Sequence, residues 1–278
     1  FAHAAWVTIT VGCDNACTFC IVPIVRGPEA SRRPGEVIEE VRRLAADGVV
    51  EVTLLGQNVN SYGRDLGVDG RHRPVFADLL RRVGEVPGIR RVRFTSPHPK
   101  DIREDVARAM AETPAVCEHL HLPLQSGSAR VLRAMQRGYT PRRFLDRLAM
   151  MRAAVPGLAV PTDIIVGFPG ESEADFRATL DVVEEAGFDG AFMFIYSPRP
   201  GTPAAVMEGQ VVPEVAAERF ARLAALQQRL SLARNQELVG QQVEVLTEGP
   251  SRKAPGVAPA RTRPNKVVHV PGEPAPGT

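Results

Sequence analysis

Three of the four cysteines in this 278-residue chain, Cys13, Cys17 and Cys20, fall within eight residues in the spacing C-x-x-x-C-x-x-C. A disulfide framework spaces its cysteines to staple distant segments, so thiols this close together point instead to a metal. Three thiolates can hold three irons of a cubane iron–sulfur cluster and leave the fourth iron without a protein ligand. An open, Lewis-acidic iron can take a molecule with adjacent amine and carboxylate groups, such as the methionine end of S-adenosylmethionine. An electron from the reduced cluster would then break a C–S bond and release a 5′-deoxyadenosyl radical. That chemistry belongs to the cofactor; the protein supplies position and excludes water. The competing reading is zinc, which usually wants four closed ligands with paired C-x-x-C spacing. Only Cys17 and Cys20 make such a pair, and Cys117, His119 or His121 could add a fourth ligand, so spacing alone leaves zinc open. Taken by itself, Cys117 reads as a buried core thiol.

Such a loop must be held by regular elements. Runs of β-type residues at 6–11, 51–55, 91–95, 119–124, 159–166 and 189–196 alternate with amphipathic stretches at 35–46, 75–83, 104–111, 141–154 and 173–186. In the first stretch Val37, Val41, Leu44 and Ala45 make the stripe of a helix packed on a sheet. The strands are rich in Val, Ile and Leu, as expected where both faces are covered. Strand–helix–strand units imply parallel strands with right-handed crossovers. The predicted fold is α/β, a partial (β/α)6 barrel, with a doubly wound open sheet as the alternative. A long helix is predicted from Glu214 to about Leu238, ended by Gly240. Beyond it, 243–247 and 267–270 read as strands. The domains are then 1–238 and 239–278.

In parallel α/β folds ligands bind at the carboxyl ends of the strands. Each predicted strand is followed there by polar or Gly-rich residues: the cysteines, Gly56-Gln57-Asn58, Ser96-Pro97-His98, Gln125-Ser126-Gly127-Ser128, Gly167-Phe168-Pro169-Gly170-Glu171 and Tyr196-Ser197-Pro198-Arg199. Six in succession point to one shared site.

Composition excludes some classes. No window approaches ~18 consecutive apolar residues, so no membrane span is expected, and the start at Phe1 lacks the pattern of a secretory signal. The chain has no initiator Met and reads as a fragment. The net charge of +2 is too small to imply a polyanionic partner, but residues 249–278 carry five Lys/Arg (Arg252, Lys253, Arg261, Arg263, Lys266) against one acid, Glu273. A basic tail on a neutral body suits either a polyanion or plain solvation.

The run Gly12-Cys13-Asp14-Asn15-Ala16-Cys17-Thr18-Phe19-Cys20 resembles the signature of the radical S-adenosylmethionine superfamily. Within it, the chain resembles the methylthiotransferases, of the type that makes 2-methylthio-adenosine in tRNA. Carrying this are Ser31-Arg32-Arg33-Pro34, the run from Leu54 to Tyr62, Phe94-Thr95-Ser96-Pro97-His98-Pro99, the run from His119 to Ser128, Asp163 to Glu171, and Tyr196 to Thr202.

The resemblance implies a 4Fe-4S cluster on Cys13, Cys17 and Cys20 and S-adenosyl-L-methionine beside it. Phe19 is expected near the adenine, and Leu55, Gly56 and Gln57 near the cofactor's amino group. Gln125, Ser126 and Asp163 are expected at the same mouth. Arg199 is a candidate for a carboxylate or phosphate. The implied reaction converts N6-(dimethylallyl)adenosine next to the anticodon into its 2-methylthio derivative. The implied partner is the tRNA anticodon stem-loop, with the sulfur donor and the electron donor left open. Relatives that act on threonylcarbamoyl-adenosine or on a ribosomal protein are the alternatives, and a zinc-stabilised, non-catalytic RNA-binding protein is the alternative from another class. The 239–278 region resembles the start of a TRAM domain, a small RNA-binding β module, which would give the basic tail phosphates to meet. Cut short, that module is not expected to fold stably. A second 4Fe-4S cluster is expected on an N-terminal domain absent from this chain, so the chain is expected to cleave S-adenosylmethionine without completing sulfur insertion. A cytoplasmic monomer is expected.

Overall fold

The computed structural model describes residues 3–67, 72–251 and 254–278. Along it run β1 (Ala4–Thr8), β2 (Thr10–Val11), α1 (Val22–Arg26), β3 (Ala30–Ser31), α2 (Pro34–Ala46), β4 (Glu51–Leu55), α3 (Phe76–Gly84), β5 (Arg91–Phe94) and α4 (Glu104–Glu112). There follow α5 (Ala129–Ala134), α6 (Pro141–Ala154), β6 (Pro161–Val166), α7 (Glu173–Ala186), β7 (Gly190–Ile195), α8 (Pro213–Gln236), β8 (Val245–Thr247), β9 (Val257–Thr262) and β10 (Val267–Pro271).

Parallel pairing joins β1 to β4 (Ala4 opposite Glu51), β4 to β5 (Glu51 opposite Arg91), and β6 to β7 (Pro161 opposite Gly190). The strand expected at 119–124 is not a continuous strand. Residues 116–125 instead stitch the two sheets through isolated parallel bridges, Val92 to Val116, His119 to Ala159 and Gln125 to Ile164. Pro123 has no N–H to give the ladder, and Gln125 sits at φ 67, where a strand cannot continue. The first expected strand also divides. β1 stays in the sheet, while β2 turns off to pair antiparallel with β3. Six parallel segments in sequence order remain, the partial (β/α)6 barrel.

Side chains alternate across this sheet. Val7, Val52, Leu54, Val92, Phe94, Ile164 and Val166 are buried in one core with the helices. The opposite, luminal face carries Glu51, Thr53, Arg93 and His119, not the apolar set expected of a strand covered on both faces. On the outermost strands of this face Trp6 is 77% exposed and Phe192 62% exposed. The barrel is a half-open wall whose lining mixes charged and polar side chains with apolar ones such as Trp6, Leu55 and Leu246. α7 shows how the sequence fixes its helices: Ser172 and Asp175 form a reciprocal capping box, and Gly187 closes the C-terminus at φ 53. Among the described residues no helix is long and apolar enough to cross a membrane.

β8, β9 and β10 form an antiparallel sheet in the order β10-β9-β8. β9 adds a third strand to the two read from the sequence, and it runs through Pro259. That proline lacks an N–H but still contributes its carbonyl to Glu248 N, 2.8 Å away. The module docks under the amino ends of the barrel strands. Arg91 donates to Arg261 O (2.7 Å) and to Glu244 (2.8 Å), and Arg93 donates to Arg263 O (2.8 Å) and Thr262 O (3.0 Å). Between module and wall lies a cavity of about 1050 Å³, lined by Trp6, Glu51, Thr53, Arg93, Leu246 and Arg261 among others. The three described Lys/Arg cations of the basic tail have acidic partners: Arg261 pairs with Glu248, Arg263 with Glu118 (2.9 Å) and Lys266 with Asp189 (2.9 Å). Arg252 and Lys253, also part of that tail, lie outside the described residues.

Candidate metal centre

β2 and β3 are the two legs of a narrow hairpin, and the cysteine loop is what they enclose. Gly12, at φ 79, lets the legs cross: a Cβ there would stand 2.0 Å from Pro28 O and 2.6 Å from Gly27 O. The crossing is fixed by Cys13 N donating to Gly27 O (3.2 Å) and Glu29 N donating to the Asp14 carboxylate (2.9 Å). Further along, Thr18 is tied to the end of α5, its N–H on Met135 O (3.1 Å) and its hydroxyl on Ala134 O (2.9 Å). Ala204 N returns a bond to Thr18 O (2.9 Å). The loop is therefore bolted to the barrel at both ends and in its middle.

Cys17 is buried, while Cys13 and Cys20 are half-buried. Burial pushes the Cys20 thiol up, the Val22 N–H draws it down, and neighbouring Cys17 and Cys13 add to the rise. All three thiols lie on the one loop between β2 and β3. Two donors already point at their sulfurs: Asn15 Nδ2 at 3.3 Å from Cys13 Sγ, and Arg137 Nη1 at 3.4 Å from Cys17 Sγ. Among the described residues no three His, Cys, Asp or Glu side chains converge on a single ion. The fourth zinc ligands weighed from the sequence lie elsewhere. Cys117 sits at the opposite end of the strands, its N–H on Val92 O (3.0 Å), and its thiol is raised by burial beside Arg93 and Arg263. His119 is half-buried nearby, its pKa lowered to about 3 by desolvation and then by Arg93. His121 Nε2 meets Asp163 Oδ1 at 2.9 Å.

The other sequence-predicted residues divide. Phe19 packs half-buried on the small cluster of Val131, Met135, Phe168 and Ala204, alongside Ile165 and Tyr196. Leu55 ends β4 on the luminal face. Gly56 passes so near Thr10 that a Cβ would lie 2.5 Å from its methyl. Gln57 Oε1 is buried without a hydrogen-bond partner. A buried acceptor left unpaired costs stability unless a ligand meets it, so this atom and the thiol donor set both fit the cluster and its cofactor. Gln125 is buried, its backbone bonded on both sides to β6 through Asp163 O (2.8 Å) and Ile165 N (2.9 Å). Ser126 is fully buried toward α7, with Oγ accepting from Ser128 N (3.1 Å) and paired with Thr179 Oγ1 (3.3 Å). Arg199 is exposed on its loop.

Sequence reasoning missed Arg137 and Tyr139. Arg137 Nε donates to Tyr139 Oη (3.2 Å), and the single proton of that hydroxyl is shared between Leu124 O (2.9 Å) and Pro123 O (3.0 Å). His98 stands edge-on to Tyr139 at 5.7 Å, kept neutral by burial and then by Arg137, its pKa about 2. These residues form a buried layer behind Cys17, and nothing in their spacing marks them.

The Radical SAM superfamily model matches residues 7–183. The chain is 59% identical over 271 residues to a tRNA-2-methylthio-N(6)-dimethylallyladenosine synthase of Parafrankia sp. (strain EAN1pec), covering 96% of this chain and 54% of that protein. It is 56% identical to the protein of the same name from Mycolicibacterium paratuberculosis, over 96% of this chain and 53% of that one. The chain therefore spans about half the length of these curated relatives. Among solved structures, a radical S-adenosylmethionine methyltransferase from Kitasatospora setae superposes with TM-score 0.59 at 19% identity, over 73% of this chain and 38% of that one. Coproporphyrinogen III oxidase from Escherichia coli does so with TM-score 0.58 at 13% identity, over 94% and 65%. These two likenesses concern the fold. With the family model matched over more than half of its residues, the chain belongs to the radical SAM superfamily.

Proposed function

We propose that this chain carries the radical step of a methylthiotransferase that converts N6-(dimethylallyl)adenosine beside the anticodon of tRNA into its 2-methylthio derivative, in the cytoplasm. The observation behind this reading is the 59% identity, over 96% of the chain, to a protein of that name, with the three thiols intact. When bound, a 4Fe-4S cluster and S-adenosylmethionine supply the reductive C–S cleavage that starts the reaction. The chain's own residues do the positioning. Cys13, Cys17 and Cys20 hold the cluster on a loop bolted to α5. Gln57 offers an unpaired acceptor beside it, Phe19 walls one side, and Asp163, oriented by His121, faces the lumen from β6. The lumen is the space for the flat base.

Anaerobic reconstitution tests the core of this reading. The protein should turn brown and, when reduced with S-adenosylmethionine, release 5′-deoxyadenosine and methionine. Cys17→Ala should abolish the colour and Cys117→Ala should keep it; a colourless protein holding one zinc would sink the proposal. For the substrate, deleting the gene should strip 2-methylthio-N6-dimethylallyladenosine from digests of cellular tRNA and leave the unthiolated nucleoside behind. Persistence of the methylthio form would assign the substrate wrongly.

A further inference from the structure

Arg137 is a buried cation to which the described residues offer no carboxylate. It is 6% exposed, and among the described residues it takes part in no ion pair with Asp or Glu. The contrast within the same chain is plain: Arg93, comparably buried, pairs with Glu51 at 3.1 Å, and buried Arg219 pairs with Glu171 at 2.9 Å. A guanidinium taken out of water without a counter-charge is strongly unfavourable. Its described partners are Tyr139 Oη (3.2 Å), Pro123 O (3.5 Å) and Cys17 Sγ (3.4 Å). The carbonyl carries no net charge. The tyrosine hydroxyl gives its own proton to backbone carbonyls, so it is a neutral acceptor here. Cys17 is the one partner that becomes anionic, and it does so when it ligates iron.

We infer that Arg137 is the counter-cation of the cluster at its Cys17 corner, and that its fixed charge sets how readily the cluster accepts an electron. The inference rests on the cluster reading above. The step is a one-electron reduction: an external reductant gives one electron, no bond forms or breaks, and the cluster with its three thiolates gains one negative charge. A cation held by hydrogen bond against a ligand sulfur favours that more negative state. The surroundings fix Arg137 for this purpose. It lies in a tight turn between Gln136 (φ 54) and Gly138 (φ 70), its planar fork is gripped by Tyr139, and Tyr139 is itself anchored to 123–124. Arg137 is thus a positioning and charge-compensating residue, acting through Cys17.

The test is a potentiometric titration of the reconstituted full chain without S-adenosylmethionine, followed by the electron paramagnetic resonance signal of the reduced cluster. Iron and sulfide are assayed on each sample. Arg137→Gln should keep its iron, yet at a fixed reductant potential its ratio of reduced to oxidised cluster should fall about tenfold, a downward shift of ~59 mV for a one-electron couple. Arg137→Lys, which keeps the charge and loses the fork, should titrate close to the parent. Should the Gln variant fail to retain a cluster while the Lys variant retains one with near-parent potential, the counter-charge role stands. The inference is overturned if Gln and parent titrate together at equal iron content, if Lys falls as far as Gln, or if both variants lose the cluster. A parent chain that takes up no iron at all would instead overturn the cluster reading itself, before any variant is compared.

Discussion

Replacing Gly12 by Ala isolates what the cysteine loop needs from its backbone. The position stands at φ 79, where an L-residue pays about 1–2 kcal/mol. The new methyl would also sit 2.0 Å from Pro28 O and 2.6 Å from Gly27 O, far inside the 3.4 Å at which ordinary contact begins. Both obstacles are backbone, so no side chain can swing aside. Overpacking of this kind adds about 1–3 kcal/mol, for ~2–5 kcal/mol in all, a large share of the roughly 5–15 kcal/mol that holds a domain together. The hairpin can shed that strain more cheaply than the barrel can. β2 and β3 pair over only two residues each, and parting them breaks the Cys13 N to Gly27 O bond and displaces Cys13 from Cys17. Gly12→Ala should therefore keep its circular dichroism, melt modestly lower, and take up much less iron under anaerobic reconstitution. Gly157→Ala is the control: its φ is 73, but nothing lies within 4 Å of the added methyl and it is remote from the loop. It should cost only the dihedral strain and leave iron uptake unchanged. If Gly12→Ala matches Gly157→Ala in both iron content and melting, the crossing of the legs is not what presents the thiols.

Three further outcomes follow from other contacts. Burial alone would raise the pKa of Asp175, but bonds from Arg130, Ser128 and Ser172 outweigh it and hold the carboxyl well below the usual aspartate range. A folded-state pKa below the unfolded one gives stability that is present above pH ~4 and lost as pH falls through the folded value. Asp175→Asn should cost about 1–3 kcal/mol at pH 7, with the gap to the parent in urea unfolding closing toward acid; a gap that widens in acid would contradict the sign. Arg93→Met should leave Glu51 and the carbonyls of Thr262 and Arg263 unpaired at a cost of about 3–5 kcal/mol. Limited proteolysis should then cut β8–β10 first, and a module as resistant as the parent's would count against the docking described. Gln57→Leu should leave the unfolding midpoint within ~1 kcal/mol, since Oε1 has no protein partner to lose. Calorimetry on reconstituted protein should show weaker S-adenosylmethionine binding, and unchanged affinity would remove Gln57 from the site.

The loop and the order of the strands were legible because both are local. Cys13, Cys17 and Cys20 announce themselves by spacing, and the helix stripe of Val37 and Val41 reads directly as a face on a sheet. What escaped depends on contacts between residues far apart in sequence. Arg137 lies 120 residues from Cys17, and a single arginine before Gly138 looks like any surface residue until the fold buries it. Ser126 sits in a motif that looks like a mouth, but the close packing of Gly127 on the Ala178 carbonyl turns its hydroxyl toward α7. The 119–124 run has strand composition, yet Pro123 and the left-handed Gln125 reduce it to bridges. The tail's charges were visible as composition, but their acid partners, Glu118 and Asp189, lie on the barrel and not in the tail.

The module beneath the barrel gives the lumen a floor, and that floor is attached largely by charge. Its ties run through Arg91 with Glu244, Arg263 with Glu118 and Lys266 with Asp189, and Glu244 is 72% exposed. Pairs reachable by solvent weaken as ionic strength rises, because the Debye length shrinks from about 10 Å at 0.1 M to about 3 Å at 1 M salt. The wall above, held by an apolar core, is indifferent to the same change. Added salt is therefore expected to loosen the floor first at the Arg91–Glu244 tie, while Lys266–Asp189, with side chains 18% and 15% exposed, is screened much less and holds.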